Sequence, residues 1–211
     1  MTKNEIQKSL EKVFNVRTDL SNRLTHLTKK TNSISAMDVL VQILSDKKIK
    51  SHDFMIGGRN NVVCFTEVPY LAIAEMMELR EKDSSIASSP IFNRFEGYGI
   101  SYDRFSAFER GVRPVIYGDK EEYQKILPDQ TDYWKVVNYD PENDYRIDWT
   151  YEREWRVPGD FDFEYKDVEI IIPHVGLYEE FKEKLSTTNI KSNEIPNIVF
   201  LDDYLSKKEI E

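Results

Sequence analysis

Strand-like runs and helix-like patterns follow one another along this chain without the regular β–α rhythm of a doubly wound parallel sheet. That irregularity constrains the fold most. It points to an α+β domain whose central sheet is mainly antiparallel and flanked by helices. Thr2 and Glu5 have capping-box spacing, and Ile6, Leu10, Val13 and Leu20 then recur at helical intervals. Leu24 to Thr28 is a short strand. Ser35 with Asp38 starts a second helix whose apolar stripe is Met37, Leu40, Val41 and Leu44. Val62 to Phe65 is a buried strand, and Pro69 opens a helix reaching Lys82. Residues 84–90 read as a loop. Strands are predicted over 98–102, 112–117, 155–157, 168–172 and 198–201. Helices are predicted over 175–185 and 202–208, while 118–148 is polar and aromatic with weak periodicity. No Pro/Gly/Ser-rich linker divides the chain. A single domain therefore spans 1–211, with an N-terminal helix to 22, a core over 24–173, and a helix–strand–helix over 174–211.

The chain has 211 residues, with 29 Lys+Arg against 38 Asp+Glu, a net charge of −9. A broadly basic surface is excluded, although a local basic groove is not. One cysteine, Cys64, rules out an internal disulfide framework and a cysteine-based zinc site. No apolar run approaches a membrane span, and the N-terminus lacks the apolar stretch of a signal peptide. A cytoplasmic protein is expected, with no membrane partner.

There is no phosphate-binding loop, GxGxxG, HExxH or GxSxG. No metal site is expected, since His26, His52 and His174 are far apart. Four segments carry candidate chemistry. His26 and Thr28, two apart at a strand end, would share a face and hold a polar ligand edge, or else be an ordinary half-exposed pair. Thr66 and Glu67 end a strand before a proline-started helix, as site residues or merely as a cap and a charge at its positive end. Glycines flank Tyr98 in Gly97-Tyr98-Gly99, which permits close approach of a flat ligand or marks a bulge in a core strand. In Tyr151-Glu152-Arg153-Glu154-Trp155-Arg156-Val157, strand alternation puts Glu152, Glu154 and Arg156 on one face and Arg153 and Trp155 on the other. Two carboxylates and a guanidinium together form either a polar site or a solvated face with ion pairs. Cys64 reads as a small buried hydrophobe.

These segments, in order, resemble the AbiGi-type abortive-infection proteins of bacterial antiphage defence. The resemblance rests on Cys64-Phe65-Thr66-Glu67-Val68-Pro69, Tyr98-Gly99-Ile100, Arg113-Pro114-Val115-Ile116-Tyr117 and Glu152-Arg153-Glu154-Trp155-Arg156. More distantly, the layout is similar to ADP-ribosyltransferases, including DarT-type toxins that modify nucleic acid. That likeness implies an ADP-ribosyltransferase-like sheet and NAD as substrate, with no metal. It implies Glu154 or Glu152 as the catalytic carboxylate, and His26, Thr28, Thr66, Glu67 and Arg156 around the cofactor. Tyr98, with Tyr102 as its rival, would stack on the nicotinamide. Leu27 stands where the family's His-Gly-Thr form has glycine.

The function implied is an NAD-dependent ADP-ribosyltransferase toxin of an antiphage or toxin–antitoxin system, acting on RNA or DNA and neutralised by an antitoxin protein. Lys29, Lys30, Lys47, Lys48, Lys50 and Arg59 would supply local positive charge, or be an ordinary solvated turn. The competing expectations are a non-enzymatic antitoxin or phage sensor, an NAD glycohydrolase, and a metal-dependent nuclease using Glu67, Glu152 and Glu154.

Overall fold

A computed structural model describes residues 2–31, 33–54, 56–83, 96–127, 130–142, 148–190, 194–195 and 197–208. The predicted loop over 84–90 lies outside them. Helix α1 is Lys3–Val16, closed by the Thr2/Glu5 capping box, so Leu20 falls beyond it. Strand β1 is Arg23–Leu27 and leaves Thr28 outside. Helix α2, Ala36–Asp46, starts on the Ser35/Asp38 capping box. Then come β2 (Lys48–Ile49), β3 (Val62–Thr66), α3 (Tyr70–Lys82) and β4 (Gly99–Asp103). Helix α4, Arg104–Glu109, was not expected; Asp103 caps it by accepting from the Ser106 N–H. The single strand expected over 112–117 is two short ones, β5 (Arg113–Pro114) and β6 (Ile116–Gly118). The weakly periodic region contains α5 (Lys120–Ile126), a 3₁₀ stretch Gln130–Lys135, and β7 (Val136–Asn138). The chain continues with β8 (Glu154–Pro158), β9 (Phe161–Asp162), β10 (Val168–Ile172), α6 (Tyr178–Ser186), β11 (Asn197–Phe200) and α7 (Asp202–Lys208).

Among the described residues, seven strands form one sheet in the order β11-β10-β4-β1-β3-β8-β5. All its neighbours run antiparallel except β10 and β11. The expected mainly antiparallel α+β architecture is therefore what forms. Both faces are covered. On one, Leu24, Phe65, Ile100, Ile170, Ile172 and Phe181 pack with α2 and α6. On the other, Ile171 packs with Ile73 and Ala74 of α3 and with Leu201 just before α7. Successive isoleucines of β10 thus enter opposite cores, as strand alternation requires. Each such side chain contributes roughly 1.5–3 kcal/mol on burial. No described helix is long and apolar enough to cross a membrane.

Two close approaches fix the middle of the sheet. A Cβ on Gly99 would lie 2.3 Å from the His26 carbonyl oxygen, so this glycine serves the β1–β4 contact and not a ligand. A Cβ on Gly97, whose φ is +72°, would strike the Met77 sulfur at 2.3 Å. The β1–β3 contact differs. β1 and β4 pair over their full length, but β1 meets β3 in register only at Thr25 and Thr66. Further along β3, His52 takes the place of β1, exchanging both backbone hydrogen bonds with Val62 at 3.0 and 2.9 Å. Between these points the Cys64 carbonyl accepts instead from His26 Nδ1, at 2.8 Å.

Candidate functional site

Register sorts the polar residues of the sheet. Thr66 lies opposite Glu154, and Cys64 opposite Arg156. Thr25 lies opposite Thr66, Ser101 opposite Thr25, and Glu169 opposite Ser101. Glu154, Thr66, Thr25, Ser101 and Glu169 therefore form a row across five strands on the α3 side. At the β10 end of the row, Tyr70 of α3 donates to Glu169 Oε2 at 2.9 Å and shares a hydrogen bond with Ser101 Oγ. At the β8 end is the densest charge. Arg156 donates from Nε to Glu154 Oε1 at 2.8 Å and from Nη2 to Oε2 at 2.9 Å. Its Nη1 donates to the Trp134 carbonyl at 2.8 Å. Glu154 is only 9% exposed and Arg156 5%, so the pair is desolvated and needs all of these partners.

Glu152 precedes β8, so the strand alternation expected from sequence does not extend to it. β8 begins at Glu154, Glu152 closes a 3₁₀ turn, and Arg153 between them is left-handed (φ 45°, ψ 52°). One residue in that conformation breaks the two-residue period. The Glu152 carbonyl accepts from Thr66 Oγ1 at 2.5 Å, and the Glu152 charge is close enough to act on Cys64 and Tyr117. Thr66 Oγ1 in turn accepts from the Val68 N–H, so that hydroxyl serves to turn the chain out of β3.

Glu67 belongs to a separate cluster. Arg104 Nη1 donates to Oε1 at 2.6 Å, Trp155 Nε1 donates to Oε2 at 3.0 Å, and Arg153 Nη2 is 3.7 Å from Oε1. Arg153 and Trp155 are the two residues that alternation put opposite Glu154. The Arg104 guanidinium lies 4.3 Å from the Phe14 ring centre, and Arg153 also donates to the Asp19 carbonyl. The N-terminal segment is thereby clipped to this node. A trio of Glu67, Glu152 and Glu154 does not assemble. Among the described residues, no three His, Cys, Asp or Glu side chains are placed to hold a metal.

His26 and Thr28 are not a pair. Thr28 is buried and its hydroxyl is used on the Ala36 and Tyr98 carbonyls, at 2.8 and 3.2 Å. His26 donates from Nδ1 to Cys64, which leaves Nε2 as the acceptor nitrogen of a neutral ring. Burial holds its pKa below the usual imidazole value, partly offset by that hydrogen bond. Its ring stands edge-on to Phe65, 6.1 Å between centres, on the sheet face opposite Glu154. Cys64 joins the two, its carbonyl to His26 and its thiol beside Glu154. Burial, then the Glu154 charge, push that thiol well above its ordinary value. The thiol is therefore little ionised at neutral pH, but Cys64 is half-buried in the polar Glu154 cluster and is not the buried hydrophobe expected from sequence.

Neither tyrosine reaches the Glu154 site. Tyr102 is a core residue, edge-on to Phe161 at 5.4 Å, with its hydroxyl accepting from Arg110. Tyr98 lies just before β4, packs on the same core, and has its phenol pushed up to about 12 by burial and by Glu180 and Glu96.

The tyrosine that does meet the site is Tyr117 of β6. Its oxygen accepts from the Glu154 N–H at 2.7 Å, and burial with nearby Glu154 and Glu152 pushes the phenol up to about 12. The sequence motif Arg113-Pro114-Val115-Ile116-Tyr117 held this residue, but only a fold that brings β6 against the start of β8 gives it a role.

Much of the expected basic set is neutralised. Lys47 pairs with Glu164 at 3.2 Å, Lys48 with Asp162 at 3.3 Å, and Lys50 with Asp160 at 3.6 Å. Lys29 lies over Phe54, and the Lys30 N–H donates to Glu96. The Arg59 side chain lies outside the described residues. A cavity of about 710 Å³ lies elsewhere, at the start of β10, where Arg23, Lys47 and Lys166 mix with Glu164, Asp167, Glu169 and Glu194. Its mixed charge names no ligand. No family model, curated protein or solved structure matches this chain.

Proposed function

We propose that this chain is an NAD-dependent ADP-ribosyltransferase toxin of a bacterial antiphage or toxin–antitoxin system. In this reading it is a cytoplasmic protein of the AbiGi-type and DarT-like kind, with an ADP-ribosyltransferase-like sheet. It would modify nucleic acid and be restrained by an antitoxin. The observation that most supports the reading is the setting of Glu154. A carboxylate that is almost wholly buried begins a late strand, and its geometry is set by Arg156 and Tyr117. A carboxylate has about four acceptor positions, of which Arg156 takes two and the Cys64 thiol meets another. A ribose hydroxyl would need the one that remains.

The chemistry asks for a fixed negative charge. When the nicotinamide–ribose bond breaks, its electron pair leaves on nicotinamide and positive charge grows at the ribose carbon. A preorganised carboxylate stabilises that charge without taking a proton, so pairing with Arg156 is compatible with the step. The acceptor's nucleophilic atom then bonds to the ribose carbon and passes its proton to solvent water. With Lys47, Lys48 and Lys50 paired to acids, an acceptor in nucleic acid would be recognised locally, by few phosphate contacts.

The same ion pair favours a second reading. If Arg156 serves only to satisfy Glu154, the chain is a non-enzymatic antitoxin or phage-sensing member of the group. Labelled NAD, incubated with the protein and separately with RNA, single-stranded DNA, duplex DNA and lysate, decides between them. Label transfer that is lost in Glu154→Gln supports the transferase. Nicotinamide release without transfer makes it an NAD glycohydrolase. Neither release nor transfer, with no rise in Tm on adding NAD, leaves the non-enzymatic reading.

A further inference from the structure

Helix α4 carries an aromatic and cationic outer surface. Its Ala107 is buried with Leu24 and Ile100, on the side of the sheet away from α3 and Glu154. Phe105 and Phe108 share the outer face and are 39% and 48% exposed. Arginines lie against both rings. The Arg104 guanidinium is 5.2 Å from the centre of the Phe105 ring, and the Arg113 guanidinium 3.8 Å from that of Phe108. Charge here is not balanced. Arg104 and Arg153 share one carboxylate, Glu67. Arg110, just past the end of α4, donates to the Tyr102 hydroxyl and the Asp162 carbonyl, and Arg113 donates to the Phe108 and Val112 carbonyls. Neither Arg110 nor Arg113 has a carboxylate partner among the described residues. A guanidinium fork has more N–H donors than these contacts use, so both keep some free. The exposed Glu109 beside them offsets only part of the charge.

We infer that the outer face of α4 is a docking surface for an acidic segment of a protein partner, one that mixes carboxylates with apolar side chains. Complementarity carries the inference: a chain of net charge −9 has here two guanidiniums without an acid, next to two exposed rings. Carboxylates of the partner would take the free donors of Arg110 and Arg113, and its apolar side chains would cover Phe105 and Phe108. Arginine is among the residue types that carry binding energy at interfaces. Nucleic acid fits the surface less well. Bases stack on open aromatic faces, and guanidiniums already lie against both rings. The inference does not need the NAD reading, since a partner on α4 leaves the Glu154 face of the sheet uncovered.

The test selects random dodecapeptides displayed on phage against the full chain, and in parallel against Arg110→Gln/Arg113→Gln and against Phe108→Ser. Gln keeps a donor for the carbonyls that Arg113 caps, and thermal melting monitors the fold of both variants. Peptides enriched on the wild type should combine Asp or Glu with Leu, Ile or Phe. In fluorescence anisotropy they should bind each variant about tenfold more weakly. Their affinity for the wild type should fall as salt is raised. Enriched peptides without acidic residues overturn the inference, and so does equal affinity for the wild type and the two variants. No enrichment on the wild type over the double variant overturns it as well. A labelled single-stranded oligonucleotide is titrated alongside. If it binds the wild type more tightly than the selected peptides and loses that affinity in the double variant, the surface belongs to nucleic acid and the inference fails.

Discussion

Arg156 holds Glu154 by two parallel hydrogen bonds from two residues along the same strand, at 2.8 and 2.9 Å. Side chains at that spacing lie on one face, so both members of the ion pair come from β8. The pair sits almost out of water, and each member depends on the other. Arg156→Leu is expected to cost about 3–5 kcal/mol, since it leaves a buried carboxylate unpaired. The double variant Glu154→Leu/Arg156→Leu is expected to regain most of that. Urea unfolding of the wild type and the variants checks this, and costs that simply add would contradict it.

Glu67 is the meeting point of three elements and should be nearly as sensitive. Glu67→Ala removes the acceptor for Trp155 Nε1 and the partner of Arg104. A loss of about 3 kcal/mol is expected. The intrinsic fluorescence should shift, because the Trp155 indole loses its hydrogen bond. Phe14→Ala, which removes only the ring beneath Arg104, should cost about 1 kcal/mol. Parallel denaturation curves would show whether that order holds.

Protonation of His26 links the gap beside β1 to pH. Its folded pKa lies below the unfolded value near 6.5, so the unfolded chain takes up the proton first as pH falls. The stabilisation is complete above pH 6.5 and is lost as pH drops toward the folded value. His52 is shifted the same way by burial and by Lys29, and adds to the slope. Stability measured from pH 7.5 to 5 should fall, and His26→Gln should flatten the decline more than His52→Gln does. An unchanged slope in His26→Gln would count against the buried neutral ring.

Gly99→Ala should be costly. The added methyl would meet backbone, the His26 carbonyl and Leu27 Cα, which cannot rotate away. About 2–3 kcal/mol is expected, at the upper end for overpacking. Thermal melting gives the answer directly.

Local signals were legible in the sequence wherever neighbours along the chain decide the structure. Both capping boxes formed where Thr2/Glu5 and Ser35/Asp38 put them, and the apolar runs at Val62 and Val168 became strands. The site was harder. Alternation assumes an unbroken strand, and the left-handed Arg153 interrupts it between Glu152 and Glu154. What Thr28 does with its hydroxyl was not legible either: β1 stops at Leu27 and the hydroxyl goes to the start of α2. Tyr117 carries no local signature of its partner, which is 37 residues away. Helix α5 and strand β7 arise in a stretch whose apolar residues are too few to show a period.

The central position of β1 has a consequence for synthesis. It is the first strand of the sheet to leave the ribosome, yet its full-length neighbour β4 ends at Asp103, and β10, which closes the far side of β4, ends at Ile172. Translation at about 5–20 residues per second takes several seconds to cover that interval, longer than sheet pairing itself. A nascent chain that has passed β4 but not β10 therefore carries β4 as an open strand edge. Stalling between these two points produces the form of this protein most prone to aggregate, and is where a chaperone would matter most.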